Sequence, residues 1–282
     1  MSPESKFGLF IWTWKESIKA GRKPVVFLPF LVYAFVQFFM VAGLIFFMYP
    51  PFSFLFMPVQ RALGGEMALH YPNYFLVLPQ AFESLNLALS GILGIGVVGL
   101  ATLLFAAGDR LRGLREEVET VAGRYGHLFG AWLGETVLSL AVIFGFARLA
   151  GEMPEIAQYL NILRMLCVIL VSTLFAFTSV LIMLERQPFA RAIVHSLKLF
   201  ANYGVLTFFL VGLPSLLQLP VQFVLARSAV IVQKLNPEII AAVVSAGIFA
   251  AMISNYFIIG AITNLYRIVA LKTQNGPKPE IA

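Results

Sequence analysis

Six apolar runs, at 24–49, 85–107, 126–146, 160–184, 203–225 and 239–268, constrain this chain more than any other feature of it. Each has the roughly 20 residues that an α-helix needs to cross the hydrocarbon core of a bilayer. Lipid offers no hydrogen-bond partner, so a crossing segment must satisfy its own backbone, and the runs predict an all-α, polytopic helix bundle with residues 1–282 as one integral membrane domain. Composition decides between lipid and water in the same direction. Of the 282 residues 60% are hydrophobic and only 12% charged, and a mean hydropathy of +0.87 with 27 phenylalanines exceeds what one soluble core could enclose.

The run at 24–49 is too long for the core of a signal peptide and is expected to stay as a span. The last run, at about 1.5 Å per residue, would reach roughly 45 Å and so must tilt or emerge. Pro214 and Pro220 interrupt the fifth run, where a kink is tolerable only if a neighbour satisfies the freed carbonyl.

Lysine and arginine fall unevenly on the two ends of the runs. Lys6, Lys15, Lys19, Arg22, Lys23, Arg110, Arg112, Arg115, Arg124, Arg186, Arg191, Lys198, Arg267, Lys272 and Lys278 share one side, and Arg61, Arg148, Arg164, Arg227 and Lys234 the other. This split of 15 to 5 puts both termini in the cytoplasm by the positive-inside rule. The net +6 is read as charge meeting anionic headgroups, with membrane lipids as partners and no nucleic acid.

An amphipathic stretch with helical spacing precedes each odd-numbered run. Phe7, Phe10, Ile11, Trp14 and Ile18 oppose Lys6, Lys15, Glu16 and Lys19; Leu111, Leu114, Val118 and Val121 oppose Arg112, Arg115, Glu116 and Glu119; Phe189, Ile193, Leu197 and Phe200 form the third stripe. All three lie on the basic side and are expected to rest in the headgroup layer. The junctions at 20–24, 122–126 and 201–204 hold small or turn-forming residues, as a bend from the interface into the membrane requires. Three copies of surface helix, crossing, outer loop and crossing form the organising expectation. The plainer alternative is that any such bend selects Gly, Asn and Pro. The outer loop at 50–84 departs from the plan, since Phe52, Phe54, Phe56, Met57, Tyr71, Tyr74 and Phe75 stand among five prolines. It is read as short helices lying on the outer leaflet or capping the bundle, with an apolar ligand site as the alternative.

Chemistry-bearing motifs are scarce. Cys167 is the one cysteine, which excludes an internal disulfide and a multi-cysteine metal site. His70, His127 and His195 fall in a loop, a run end and a surface helix, too scattered to share a metal. Gly94, Gly96 and Gly99 match a dinucleotide fingerprint by letters, but that motif needs a strand before it. Within an apolar run, Ser90, Gly91, Gly94 and Gly99 instead allow another helix to approach closely. Ala242, Ala246, Ala250 and Ser254 repeat the device in the sixth run, so close packing between the second and sixth spans is expected. With no catalytic set and no cofactor pattern, the chain is read as non-enzymatic and cofactor-free.

The polar residues inside the runs include Glu135, Asn161, Arg164, Ser172, Thr173, Asn255 and Asn264, of which Glu135, Arg164, Asn255 and Asn264 are the functional candidates. Glu135 is the one carboxylate well inside a run, about 13 Å past Gly126 along a helix axis, where an ionisable group is a functional candidate by default. A hydrogen-bonded strut is the alternative. Arg164 lies near the outer end of its run and can snorkel to the headgroups.

The segment 190–200, ARAIVHSLKLF, leads through Asn202 and Gly204 into the fifth run. With six spans and cytoplasmic termini, it resembles a broad bacterial family that includes the membrane domain attached to some glycerophosphodiester phosphodiesterases and stand-alone inner-membrane proteins. The resemblance covers the plan of the whole chain and, residue by residue, 191–204. It implies a fold and an inner-membrane location. The soluble phosphodiesterase domain is expected to be missing, so that activity is not carried over. The first functional reading is an inner-membrane protein that organises or handles lipids or a partner membrane protein. The second is a transport component, a small permease or the membrane subunit of a separate ATPase, motivated by Glu135 and by the interrupted fifth run.

Overall fold

The structure, a computed structural model, describes residues 5–108 and 113–275, with backbone alone at Pro154 and 271–275. Leu111 of the second stripe and the basic residues Arg110, Arg112 and Lys278 lie outside the described residues. The described chain is helical and has no strand. Its helices are α1 (Lys6–Ala20), α2 (Pro24–Ile45), α3 (Phe52–Gly64), α4 (Tyr74–Leu89), α5 (Ile95–Ala107), α6 (Leu114–Glu152), α7 (Ala157–Phe175), α8 (Thr178–Leu184), α9 (Phe189–Ser215), α10 (Leu219–Leu225), α11 (Ser228–Lys234) and α12 (Ile239–Asn275). Six stretches are long and apolar enough to cross a membrane: Pro24–Ile45, Tyr74–Ala107, Leu114–Glu152, Ala157–Leu184, Phe189–Leu225 and Ile239–Ala270.

Four of these stretches start earlier than the apolar runs, the second at Tyr74, the third at Leu114, the fourth at Ala157 and the fifth at Phe189. Hydropathy marks where side chains prefer lipid, whereas backbone hydrogen bonds continue until a cap or proline stops them. For that reason two of the three expected bends do not occur: α6 and α9 run unbroken through 122–126 and 201–204. Only the first junction turns. α1 starts where the Ser5 side chain accepts the Gly8 N–H at 3.0 Å and ends before Gly21; Pro24, which has no N–H to lose, opens α2. The loop expected over 50–84 shrinks to 46–73 because α4 absorbs its end with Pro79 in the second turn. What remains carries α3 and a 3₁₀ turn, Glu66–Leu69. In the fifth span Pro214 sits in the last turn of α9 and Pro220 in the first turn of α10, so the prolines end one helix and open another. A π-helical turn, Ser90–Gly94, joins α4 to α5.

The chain packs as two compact units. One draws on Met1–Phe27, Ile95–Pro214 and Tyr256–Ala282, with Phe177, Leu181, Ile182, Leu210, Ile262 and Leu265 in its core. The other draws on Leu28–Gly94 and Ser215–Asn255, with a core of Leu44, Phe47, Phe75, Leu78, Ile240 and Ile248.

In the first unit α1 turns an unexpected side inward. Its buried residues are Leu9, Thr13 and Ser17, four apart, while Phe7, Ile11 and Ile18 of its apolar stripe are 72%, 51% and 60% exposed. Small polar residues let helices approach closely. α9 behaves alike, burying Ala192 and Ser196 while exposing Val194 and Leu197.

Candidate functional site: a basic recess beside the first helix

The inward edge of α1 is pinned to α12 by hydrogen bonds. The Ser17 hydroxyl donates to the Thr13 carbonyl at 2.8 Å and accepts from the Asn264 side-chain amide at 3.3 Å. The Tyr256 hydroxyl donates to the Ser17 carbonyl at 2.7 Å, and its ring stacks on Phe27 with centroids 4.2 Å apart. Close approach depends on Gly260, where a Cβ would lie 2.7 Å from the Phe105 ring and 3.0 Å from Ser17 Oγ. Each bond satisfies a polar group that burial would otherwise leave unpaired.

Beside these ties lies an open recess of about 750 Å³, within the range of small-molecule sites. Glu16, Lys19 and Ala20 of α1 and Lys23 form one wall, Phe105, Ala106 and Ala107 of α5 a second, and Asn264 and Arg267 of α12 a third. Gly108 closes the second wall with a φ of 58°, the left-handed conformation that lets a glycine end a helix without a side-chain clash.

Three cations and one carboxylate line this recess, a formal charge of +2. Lys19 reaches Glu16 at 2.6 Å. The C-terminal ends of α1 and α5 also close on the recess, and each carries about half a negative charge. The cations offset those ends. Ammonium and guanidinium groups donate hydrogen bonds and accept none, so the arrangement suits an anion rich in oxygen acceptors.

Of the residues singled out in the sequence, Asn264 lies in this recess and is 4% exposed, whereas Asn255 on the same helix is exposed. Glu135 is half-buried on α6 and accepts a hydrogen bond from the Ser172 hydroxyl of α7. Arg164 is half-exposed on α7. The glycines expected to meet the sixth span face other helices. Gly91 is buried; a Cβ on Gly94 would lie 3.3 Å from the Tyr33 hydroxyl of α2, and one on Gly99 would meet Leu128 and Val121 of α6 at 2.8 and 3.3 Å. Ala246 is exposed and Ala250 half-buried, and α12 buries Ile240, Val244 and Ile248 instead. Small residues mark where a close approach is possible without naming the partner.

Sequence reasoning counted Lys23 and Arg267 only as topological charge and passed over Phe105 and Gly108. Two further polar clusters were also missed. In the second unit Gln37 and Tyr33 donate to the Asn86 side-chain oxygen at 2.7 and 3.2 Å; their four-residue spacing on one face of an apolar run was the available signal. In the first unit the Tyr266 hydroxyl and the Gln187 amide both donate to Glu185, with His195 Nδ1 3.8 Å from that carboxylate. Among the described residues no group of three or more His, Cys, Asp and Glu side chains could hold a metal ion.

These features define a class, the multi-pass all-helical membrane proteins. Within it, comparisons with protein-family models, curated proteins and solved structures find no match for this chain.

Proposed function

We propose that this chain is a bacterial inner-membrane protein, with both termini in the cytoplasm, that handles lipids without catalysing a reaction on them. The observation that carries the reading is the arrangement of α1: Phe7, Ile11 and Ile18 of its apolar stripe are exposed while Phe10 and Trp14 pack on the core, its small polar edge is fixed to α12, and cations gather beside it. A helix held this way suits the boundary between acyl chains and headgroups. Native mass spectrometry of gently purified protein tests it. Lipid retained through detergent exchange is the expected result, and protein that comes through bare overturns the reading.

Transport is the second reading, and the hydrogen-bonded Glu135 within a membrane-spanning helix is the observation in its favour. Glu135→Gln keeps the shape and bonding of the side chain but cannot ionise. Full complementation of a deletion strain by this variant removes the support for transport. Loss of function at normal membrane abundance, or a co-purifying ATPase, shifts the balance towards it.

A further inference from the structure

We propose that the recess between α1, α5 and α12 binds a phosphate ester. Its membrane source would be the headgroup of an anionic phospholipid and its aqueous source a soluble phosphate ester; the first source rests on the lipid-handling reading above.

Topogenic lysines and arginines ordinarily sit in separate solvated loops. Here Lys19 and Lys23, four residues apart at the end of α1, and Arg267 of α12, from the far end of the chain, converge on one concavity lined by three cations and one carboxylate. A carboxylate offers two oxygens on one edge. A phosphate ester offers acceptors in several directions, which matches donors arriving from separate walls, and a guanidinium can bind two of those oxygens side by side. The Lys19–Glu16 pair does not stand in the way. Both side chains reach solvent, and an exposed pair of this kind contributes little, so Lys19 can turn to an incoming anion. Phe105, Ala106 and Ala107 supply an apolar wall for the glycerol part of such a ligand. The volume of about 750 Å³ holds a headgroup with room for water.

The test uses full-length protein in nanodiscs of phosphatidylcholine and phosphatidylglycerol in equal parts, with co-retained lipids counted by native mass spectrometry. A second arm titrates glycerol 3-phosphate into protein held in phosphatidylcholine alone. The wild type is expected to enrich phosphatidylglycerol, and the double variant Lys19→Gln, Arg267→Gln to reduce that enrichment roughly thirtyfold, the scale set by two lost cations near a charged headgroup. Lys15→Gln removes the same charge from α1 outside the recess and should leave enrichment unchanged. Arg267→Lys keeps the charge but not the paired donors and should lose less than Arg267→Gln. If the double variant does not fold, Arg267→Gln against Arg267→Lys carries the same comparison.

Enrichment that survives the double variant, or that falls equally with Lys15→Gln, overturns the site. Phosphatidylcholine held as firmly as phosphatidylglycerol, with no glycerol 3-phosphate binding, leaves lipid handling standing and overturns the phosphate site. Bare wild-type protein that binds glycerol 3-phosphate through Lys19 and Arg267 does the reverse, supporting the recess with an aqueous ligand.

Discussion

In the unit drawn from Leu28–Gly94 and Ser215–Asn255, aromatic rings meet ring to ring, Phe38 with Phe249 at 4.9 Å, Phe47 with Tyr74 at 5.6 Å and Tyr74 with Phe75 at 4.3 Å. In the unit that contains α1, rings also meet, as Phe27 does Tyr256 at 4.2 Å, but α1 itself is tied to α12 by hydrogen bonds among Ser17, Tyr256 and Asn264, and the Ser196 hydroxyl of α9 likewise donates to the Leu174 carbonyl of α7 at 2.7 Å. Ring packing fills volume and is felt most when a ring is deleted. A hydrogen bond to a backbone oxygen contributes less but fixes which edge of a helix faces in. The second device keeps the small edge of α1 inside and leaves its cations to line a recess.

This contrast is broken or sharpened by substitution, with stability read as the shift in melting temperature in detergent. Phe75→Ala empties a ring position that is fully buried and should cost the most, roughly 3–5 kcal/mol; a loss below about 1 kcal/mol would mean the ring cluster is loosely packed. Gly260→Leu forces a side chain against Phe105 and Ser17 and should cost about 1–3 kcal/mol. Tyr256→Phe removes one bond from α1 and should cost about 1 kcal/mol, with faster amide exchange in α1 as a signature that a general loss of stability would not confine there. Val205→Ala, at an exposed position, should stay within about 0.5 kcal/mol of wild type.

Much of this architecture was legible in the sequence, because apolar runs of membrane length have few other uses. The helix ends were not. Leu114–Gly126 and Phe189–Tyr203 carry charge on one face, which ends an apolar run, yet nothing in them stops a helix. The site was legible in part. Asn264 stood out as an amide in lipid, but Lys19, Lys23 and Arg267 read as topological charge, since nothing in their spacing shows that segments so distant in sequence share one concavity. Thr13 and Ser17 were hidden for a related reason: a small hydroxyl residue within a helix usually bonds its own backbone, as the Thr13 hydroxyl does to the Phe10 carbonyl.

The six crossings and the proposed cytoplasmic placing of the recess underlie the proposed function. They are tested together by fusing a reporter that is active only outside the cytoplasm. It should be silent after Lys272 and between Arg110 and Arg124, and active near Gly64 and Glu152. Activity after Lys272, or silence near Gly64, would contradict the six-span arrangement and move the basic recess to the wrong face of the membrane.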